Sequence, residues 1–158
     1  NGYLMAASIR ENIDYGRDLP EEAIKRAARC AQAEEFIAAL PDGYDHDLAQ
    51  KAGNLSGGQK QRLLIARALA SSPAVIVLDD SSSALDYATD AALRRALQRE
   101  YAGATRIVVA QRVSSVKNCD LILVFDDGRV TGAGTHEELM KACAEYRAIA
   151  ETQMGEAV

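Results

Sequence analysis

The stretch that most constrains the fold is residues 55–62, which read LSGGQKQR. Ser56 is a favourable helix N-cap, and Gly57 and Gly58 allow a ligand to approach the first turn closely. A helix N-terminus offers free N–H groups and the positive end of the helix dipole. Ser-Gly-Gly taken alone also suits a flexible loop with a cap. Together with the apolar residues after it, the stretch predicts a helix start that can hold an anion such as phosphate.

An apolar segment comes after this predicted helix start and ends at two aspartates. Residues 61–70 are mostly Leu, Ile and Ala, which indicates a helix buried on most of its surface, and the Ser-Ser-Pro at 71–73 ends it. Residues 74–78 are short and apolar, as expected for a central parallel strand buried on both faces. Asp79 and Asp80 then lie where α/β proteins bind ligands, so they can hold Mg²⁺ or orient water.

The rest of the sequence alternates helical patterns with strand patterns. A capping box of Ser8 and Glu11 predicts a short helix, and Thr135 with Glu138 predicts another near the C-terminus. The Asp-Asp-Gly at 126–128 predicts a hairpin between two apolar runs. Further elements are predicted as helices over 20–31, 33–39, 87–100 and 143–153 and as a buried parallel strand over 105–110. The pattern indicates an α/β sheet with an antiparallel edge.

Composition excludes several classes of protein. The 158 residues suit one domain, and a net charge of −5 without a Lys/Arg cluster argues against a nucleic-acid partner. No apolar run approaches the roughly 18 residues of a transmembrane helix. Cys30, Cys119 and Cys143 are an odd number at no metal-like spacing, which favours reduced thiols.

Two of these stretches resemble a known family. LSGGQKQR resembles the signature motif of ABC-type ATPases, and VIVLDDSSSALD at 75–86 resembles their Walker B strand and D-loop, in the same order and spacing. Residues 8–13, 40–45 and 134–139 resemble segments found in ABC exporters. The resemblance extends from near residue 3 to the last predicted helix.

The resemblance implies a fold, cofactors and site residues. The fold is expected to be an α/β, P-loop NTPase-like (ABC ATPase) fragment with a mostly parallel sheet, an N-terminal helical subdomain and a C-terminal hairpin. Residues 1–72 would be the helical subdomain with the signature helix, and 73–158 the C-terminal half of the RecA-like core. ATP and Mg²⁺ are the implied cofactors, with Asp79 as the metal residue. The implied nucleotide-binding residues are Ser56, Gly57, Gly58, Gln59 and Asp86.

An ATPase of this kind also needs a P-loop, Gly-x-x-x-x-Gly-Lys-Ser/Thr. The segment most similar to this motif begins at Gly53 and has its second glycine at Gly58. However, Gln59 stands where Lys is required, and Lys60 comes one place late. The P-loop is therefore expected upstream of residue 1, which makes this chain roughly the C-terminal two-thirds of a nucleotide-binding domain. We expect the chain alone to bind ATP weakly and to be inactive as an ATPase.

The two implied catalytic positions depart from the family pattern. Asp80 stands where the family usually has the Glu that activates water, and Gln111 stands where it usually has the His that contacts the γ-phosphate. Asp is one methylene shorter, and Gln cannot shuttle a proton. Together the changes resemble the degenerate subunit of a heterodimeric exporter, whose intact signature completes the partner's site.

Several alternatives stay open at this point. An ordinary homodimer with tolerated substitutions is one of them. A non-transport ABC ATPase acting on ribosomes or DNA repair is another, although the chain has neither a coiled-coil heptad run nor basic linkers. A regulatory nucleotide-binding module is the third. For the exporter, the expected partners are a membrane domain and a second nucleotide-binding domain at the cytoplasmic face of the membrane, with no nucleic acid. The transported substrate does not follow from the sequence.

Overall fold

A computed structural model describes residues 2–79 and 84–155 of the chain. In chain order the helices and strands are α1 Ile9–Asp14, α2 Glu21–Cys30, α3 Glu34–Ala38, α4 Gly57–Leu69, β1 Val75–Asp79, α5 Tyr87–Glu100, β2 Thr105–Val109, α6 Val113–Val116, β3 Ile122–Asp126, β4 Arg129–Gly134, α7 His136–Ala142 and α8 Ala144–Gly155. Two 3₁₀ turns, Gly43–Asp45 and Gln50–Ala52, lie between α3 and α4. The order confirms the predicted α/β fold class.

The strands form two small sheets. β1 pairs with β2 in the parallel sense that a helical crossover through α5 requires. β3 pairs with β4 antiparallel, with Ile122 opposite Gly134 and a bulge between Val124 and Phe125. In the connecting turn Asp127 and Gly128 have φ angles of 45° and 74°, the left-handed values that a two-residue hairpin turn needs. The predicted hairpin is therefore confirmed.

The chain divides into two compact units, and the division falls between Ile107 and Val108. In the first unit α4 packs against α1 and α2, and α2 also contacts α5. The fully buried large side chains of this unit are aliphatic, with Cys30 and Asn12 beside them: Ile9, Ile13, Ile37, Leu63, Leu69, Leu93 and Leu97. In the second unit, one side of the hairpin packs with α7 and α8 around Leu139, Cys143 and Tyr146. The predicted division at residue 72 refers to the parts of a whole ATPase domain and stays a prediction.

The first sheet differs from the sequence expectation in its burial. Ile76 and Leu78 are buried, but Val75 and Val77 are 54% and 60% exposed. Ile107 of β2 is likewise 50% exposed, so the prediction that both strands are buried on both faces is wrong for the described residues. Side chains alternate along a strand, and the described residues bury only one of the two sets in β1.

Within 2–79 and 84–155, no helix is long and apolar enough to cross a membrane.

Candidate functional site

The start of α4 is closed by a reciprocal pair of side-chain hydrogen bonds. Ser56 Oγ accepts the N–H of Gln59 at 3.2 Å, and Gln59 Oε1 accepts the N–H of Ser56 at 2.8 Å. The predicted N-cap is thus confirmed, and Gln59 is its capping-box partner. This role of Gln59 was not predicted from the sequence, although Ser-x-x-Gln is the spacing that signals a capping box.

The capping box leaves several donors available at this helix start. Among the described residues, neither Gly57 N–H nor Gly58 N–H has an acceptor. The Ser56 hydroxyl accepts one hydrogen bond and still carries its own O–H donor. The first turn of α4 holds no acidic residue, whereas the first turns of α1, α2 and α7 do. The positive end of the α4 dipole is therefore not neutralised by its own helix and can receive an anion.

The two glycines have different surroundings. A Cβ on Gly57 would have no described atom within 4 Å. A Cβ on Gly58 would lie 3.1 Å from the backbone oxygen of Ala84, which is tighter than most real contacts. Gly58 therefore lets α4 pack closely against the backbone just before α5, in addition to its predicted part in ligand binding. Gly57 is the position where the surroundings of α4 allow a side chain.

Arg62 fixes the first half of α4 against the helices that precede it. Its Nη1 donates to the carbonyl oxygen of Gln32 at 2.8 Å, and its Nε donates to that of Gly58 at 3.3 Å. The guanidinium also lies 4.8 Å from the ring centroid of Phe36, a cation–π distance. These contacts hold the orientation of the helix start.

Arg67 ties the second half of α4 to the N-terminal segment. Its guanidinium donates to the Asn12 carbonyl at 2.6 Å, to Asn12 Oδ1 at 2.8 Å and to the Tyr3 carbonyl at 2.7 Å. Asn12 is completely buried and also binds the backbone of Met5 and Ala7. Burial lowers the pKa of Arg67 from its usual value. Neither residue was singled out from sequence, because only the tertiary fold brings them together.

The predicted acidic site residues lie at element ends. Asp79 is the exposed last residue of β1, at the carboxyl end of the strand as predicted. Asp80 lies outside the described residues. Asp86 is the N-cap of α5, where it accepts the Thr89 N–H at 2.9 Å and the Thr89 hydroxyl at 2.8 Å. The Thr89 N–H, together with the Thr89 hydroxyl, holds the pKa of Asp86 below its usual value.

The donor set suits Mg²⁺ held largely by a phosphate ligand. No group of three or more metal-binding side chains occurs within the described part of the chain. Mg²⁺ usually keeps several waters and binds one or two carboxylates together with substrate phosphates, so it does not need such a group. A single carboxylate such as Asp79 at a strand end fits that mode of binding.

Gln111, the predicted switch position, lies in the second unit just after β2. Its side chain is exposed, and its backbone carbonyl accepts a hydrogen bond of 2.8 Å from Gln153 Nε2. Gln153 was not predicted from the sequence. An isolated Gln on a helix carries no sequence signal for such a contact.

Comparisons with known proteins agree with this description. The profile of a family described as ABC transporter matches residues 3–83. An ABC transporter ATP-binding protein of Bacillus subtilis, YknU, is 45% identical over 152 residues, which are 96% of this chain and 26% of YknU. P-glycoprotein 14 of Caenorhabditis elegans is also 45% identical, over 95% of this chain and 11% of that protein.

A third curated relative, the mitochondrial potassium channel ATP-binding subunit of Mus musculus, is 45% identical over 95% of this chain and 21% of its own length. The structure of a bacterial Atm1-family ABC exporter with ATP bound superposes with a TM-score of 0.91 at 35% identity. That match covers 97% of this chain and 27% of the exporter chain. The chain thus spans about a quarter or less of each of these proteins.

Proposed function

This chain belongs to the ABC transporter family as an exporter-type nucleotide-binding domain, and from that premise we propose that it couples ATP binding and hydrolysis to the export of a substrate across a membrane. The start of α4 is the observation that carries this proposal. It presents unpartnered Gly57 and Gly58 amides and the Ser56 hydroxyl at an uncompensated helix dipole, among the described residues. Such a set of donors suits the terminal phosphate of a nucleotide.

The proposed site residues have two roles, namely phosphate binding and metal binding. Ser56, Gly57 and Gly58 would bind the γ-phosphate of the nucleotide in the partner's site, and Gln59 would hold Ser56 in place through the capping box. Asp79 would hold Mg²⁺ through water, and Asp86 would orient the D-loop through its cap of α5. Bound Mg²⁺–ATP supplies the phosphoryl group that is transferred to water.

The departures at two positions indicate a slow site on this subunit. Asp80 would hold its carboxylate about one methylene short of the attacking water, and a displacement of about 1 Å can cost roughly 10²-fold in rate. Gln111 could donate a hydrogen bond to the γ-phosphate but could not shuttle a proton. We assign this chain to the degenerate half of a heterodimer on these two residues.

The proposed partners follow from that assignment. A second nucleotide-binding domain would pair with this one head to tail, so that the signature residues 56–59 complete the competent site of the partner. A membrane domain of the same transporter would carry the substrate path, with both ATPase domains at the cytoplasmic face. The chain alone, which has no Gly-x-x-x-x-Gly-Lys P-loop, would not hydrolyse ATP.

The test compares three single variants in the complete reconstituted transporter. Gly57→Asp should lower the steady-state ATPase rate more than about 10²-fold, because it adds negative charge where the γ-phosphate of the partner's site binds. Gly57→Asn has nearly the same shape without the charge and should cost much less. Asp80→Asn should also cost little, because it alters the slow site. If Asp80→Asn proved more damaging than Gly57→Asp, this chain would not be the degenerate half.

A further inference from the structure

The segment after β2 is held in place by the last helix of the chain. Gln153 of α8 donates from Nε2 to the carbonyl oxygen of Gln111 at 2.8 Å. Its Oε1 accepts the N–H of Val113 at 2.8 Å. One side-chain amide thus satisfies one acceptor and one donor of the backbone on the two sides of Arg112. A side-chain amide carries a donor and an acceptor on one planar group, which suits this arrangement.

The Val113 contact is an N-cap supplied from a distant part of the sequence. Val113 is the first residue of α6, and its N–H has no partner inside that helix. The N-cap residue Arg112 makes no side-chain capping bond. Gln153, 40 residues further along the chain, provides the missing acceptor. The position of this short helix therefore depends on α8.

The core of the second unit fixes Gln153 where it can reach this segment. Tyr146 and Ala150 of α8 are 4% and 1% exposed, and they precede Gln153 by seven and three residues on the same face of the helix. Val113 and Val116 of α6 pack against the cluster that contains Tyr146. The side-chain amide of Gln153 is thus held by a helix that packs into the core of the second unit.

We propose that Gln153 is a positioning residue for the switch position, so that α8 controls how Gln111 meets the γ-phosphate of ATP. This inference rests on the proposed function, because it takes Gln111 as the γ-phosphate contact. Gln153 itself would contact neither the nucleotide nor the water that attacks it. It would act by holding the Gln111 backbone, from which the exposed Gln111 side chain extends. Any partner or modification that displaced α8 would then weaken the response of this site to ATP.

The test measures ATP and ADP affinities of this subunit's site in the complete transporter, with a photo-crosslinkable ATP analogue as the probe and unlabelled ATP or ADP as competitors. Gln153→Leu removes both hydrogen bonds, and Gln153→Glu keeps the acceptor for Val113 N–H but sets an oxygen against the Gln111 carbonyl. Both should lower ATP affinity about 3- to 10-fold, as expected for one or two lost hydrogen bonds. ADP affinity should stay within about twofold, since ADP has no γ-phosphate.

A matched control and a double variant separate positioning from simple stabilisation. Glu151→Gln alters an exposed neighbour on the same helix and should change neither affinity. In a Gln111→Ala background, Gln153→Leu should cause no further loss of ATP affinity, because the two residues act through one contact. Equal losses in both backgrounds, or equal losses for ATP and ADP, would overturn the inference.

The same measurements distinguish this inference from the function on which it rests. If Gln111→Ala lowers the preference for ATP over ADP and the Gln153 variants do not, the positioning role is wrong and the switch assignment stands. If Gln111→Ala leaves that preference unchanged, Gln111 is not the γ-phosphate contact, and both the switch assignment and the role of Gln153 are overturned.

Discussion

At the scale of single residues, Arg67 shows how a charged side chain can join distant parts of the chain through hydrogen bonds. Its planar guanidinium reaches three oxygens on Asn12 and Tyr3, which lie more than fifty residues earlier in the chain. A lysine ammonium cannot reproduce this planar arrangement of several N–H donors. We expect Arg67→Lys to lower the free energy of unfolding by about 1–3 kcal/mol, because buried oxygens lose their donors. Urea denaturation of the purified chain measures this.

The control for that prediction is another arginine on a helix. Arg95 of α5 is exposed and makes no hydrogen bond or ion pair within the described residues. Arg95→Lys should therefore change the free energy of unfolding by no more than about 0.5 kcal/mol. Equal effects of the two substitutions would show that the contacts of Arg67 contribute little to stability.

Two other residues decide the rate proposed for this subunit's own site. Asp80→Glu combined with Gln111→His should raise ATP hydrolysis there, since both changes restore groups that act on the attacking water and the γ-phosphate. General-base positioning contributes roughly 10²–10⁴-fold, so a gain of at least tenfold is expected. The measurement is ATP turnover of the complete transporter with the partner's site disabled. Unchanged turnover would instead favour a purely regulatory nucleotide site.

At the scale of elements, the helix starts are the best-determined local structures. α1, α4 and α7 each begin with a reciprocal capping box, formed by Ser8 with Glu11, Ser56 with Gln59, and Thr135 with Glu138. α4 differs from the other two because its box uses a neutral Gln. A carboxylate at that position would supply negative charge to the helix dipole and compete with a bound phosphate.

This difference predicts two outcomes for two similar substitutions. Ser56→Ala and Thr135→Ala should each lower the free energy of unfolding by about 1 kcal/mol, the usual effect of losing an N-cap. Only Ser56→Ala should also lower the ATPase rate of the complete transporter, because it removes a proposed phosphate donor. Thermal unfolding and ATPase assays on both variants provide the comparison. A similar loss of ATPase rate in Thr135→Ala would mean that stability alone explains the effect.

At the scale of the whole molecule, acid should weaken the fold through carboxylates that accept hydrogen bonds from backbone N–H groups. Hydrogen bonds from backbone N–H groups hold the pKa values of Glu11, Asp14, Asp86 and Glu138 below their usual values. A carboxyl whose pKa is lower in the folded state stabilises the fold above its unfolded pKa. That contribution is lost as the pH falls through the folded pKa.

The pH dependence therefore has a definite direction and range. The melting temperature of the chain should be level above about pH 4.5, the unfolded pKa of a glutamate, and should fall as the solution is made more acidic. Glu138→Gln should reduce the slope of that fall, because the variant has one fewer carboxyl to protonate. Circular dichroism melts between about pH 3 and pH 7 measure both curves. A melting temperature that rose on acidification would contradict the stabilising role of these carboxylates.

The sequence by itself determined the type and order of the elements, because short-range chemistry suffices for them. Ser56 as a cap, the Asp127-Gly128 turn and the strand that ends at Asp79 all depend on neighbours a few residues away. The signature stretch could likewise be identified from the sequence, since its residues are consecutive. Burial of the strands was the main error. An apolar run shows that a strand can be covered on both faces, but not which neighbours are present to cover it.

Only the tertiary structure decided which distant groups meet. The contacts of Arg67 with Asn12, of Gly58 with the backbone of Ala84 and of Gln153 with Gln111 join residues that are 26 to 55 positions apart in the sequence. Side-chain hydrogen bonds over such separations follow from how the helices pack. No local propensity encodes them, because an Arg or Gln on a helix has the same preferences whether its partner is solvent or a buried carbonyl. The capped start of α4 was therefore predictable, and the distant residues that hold this helix in place were not.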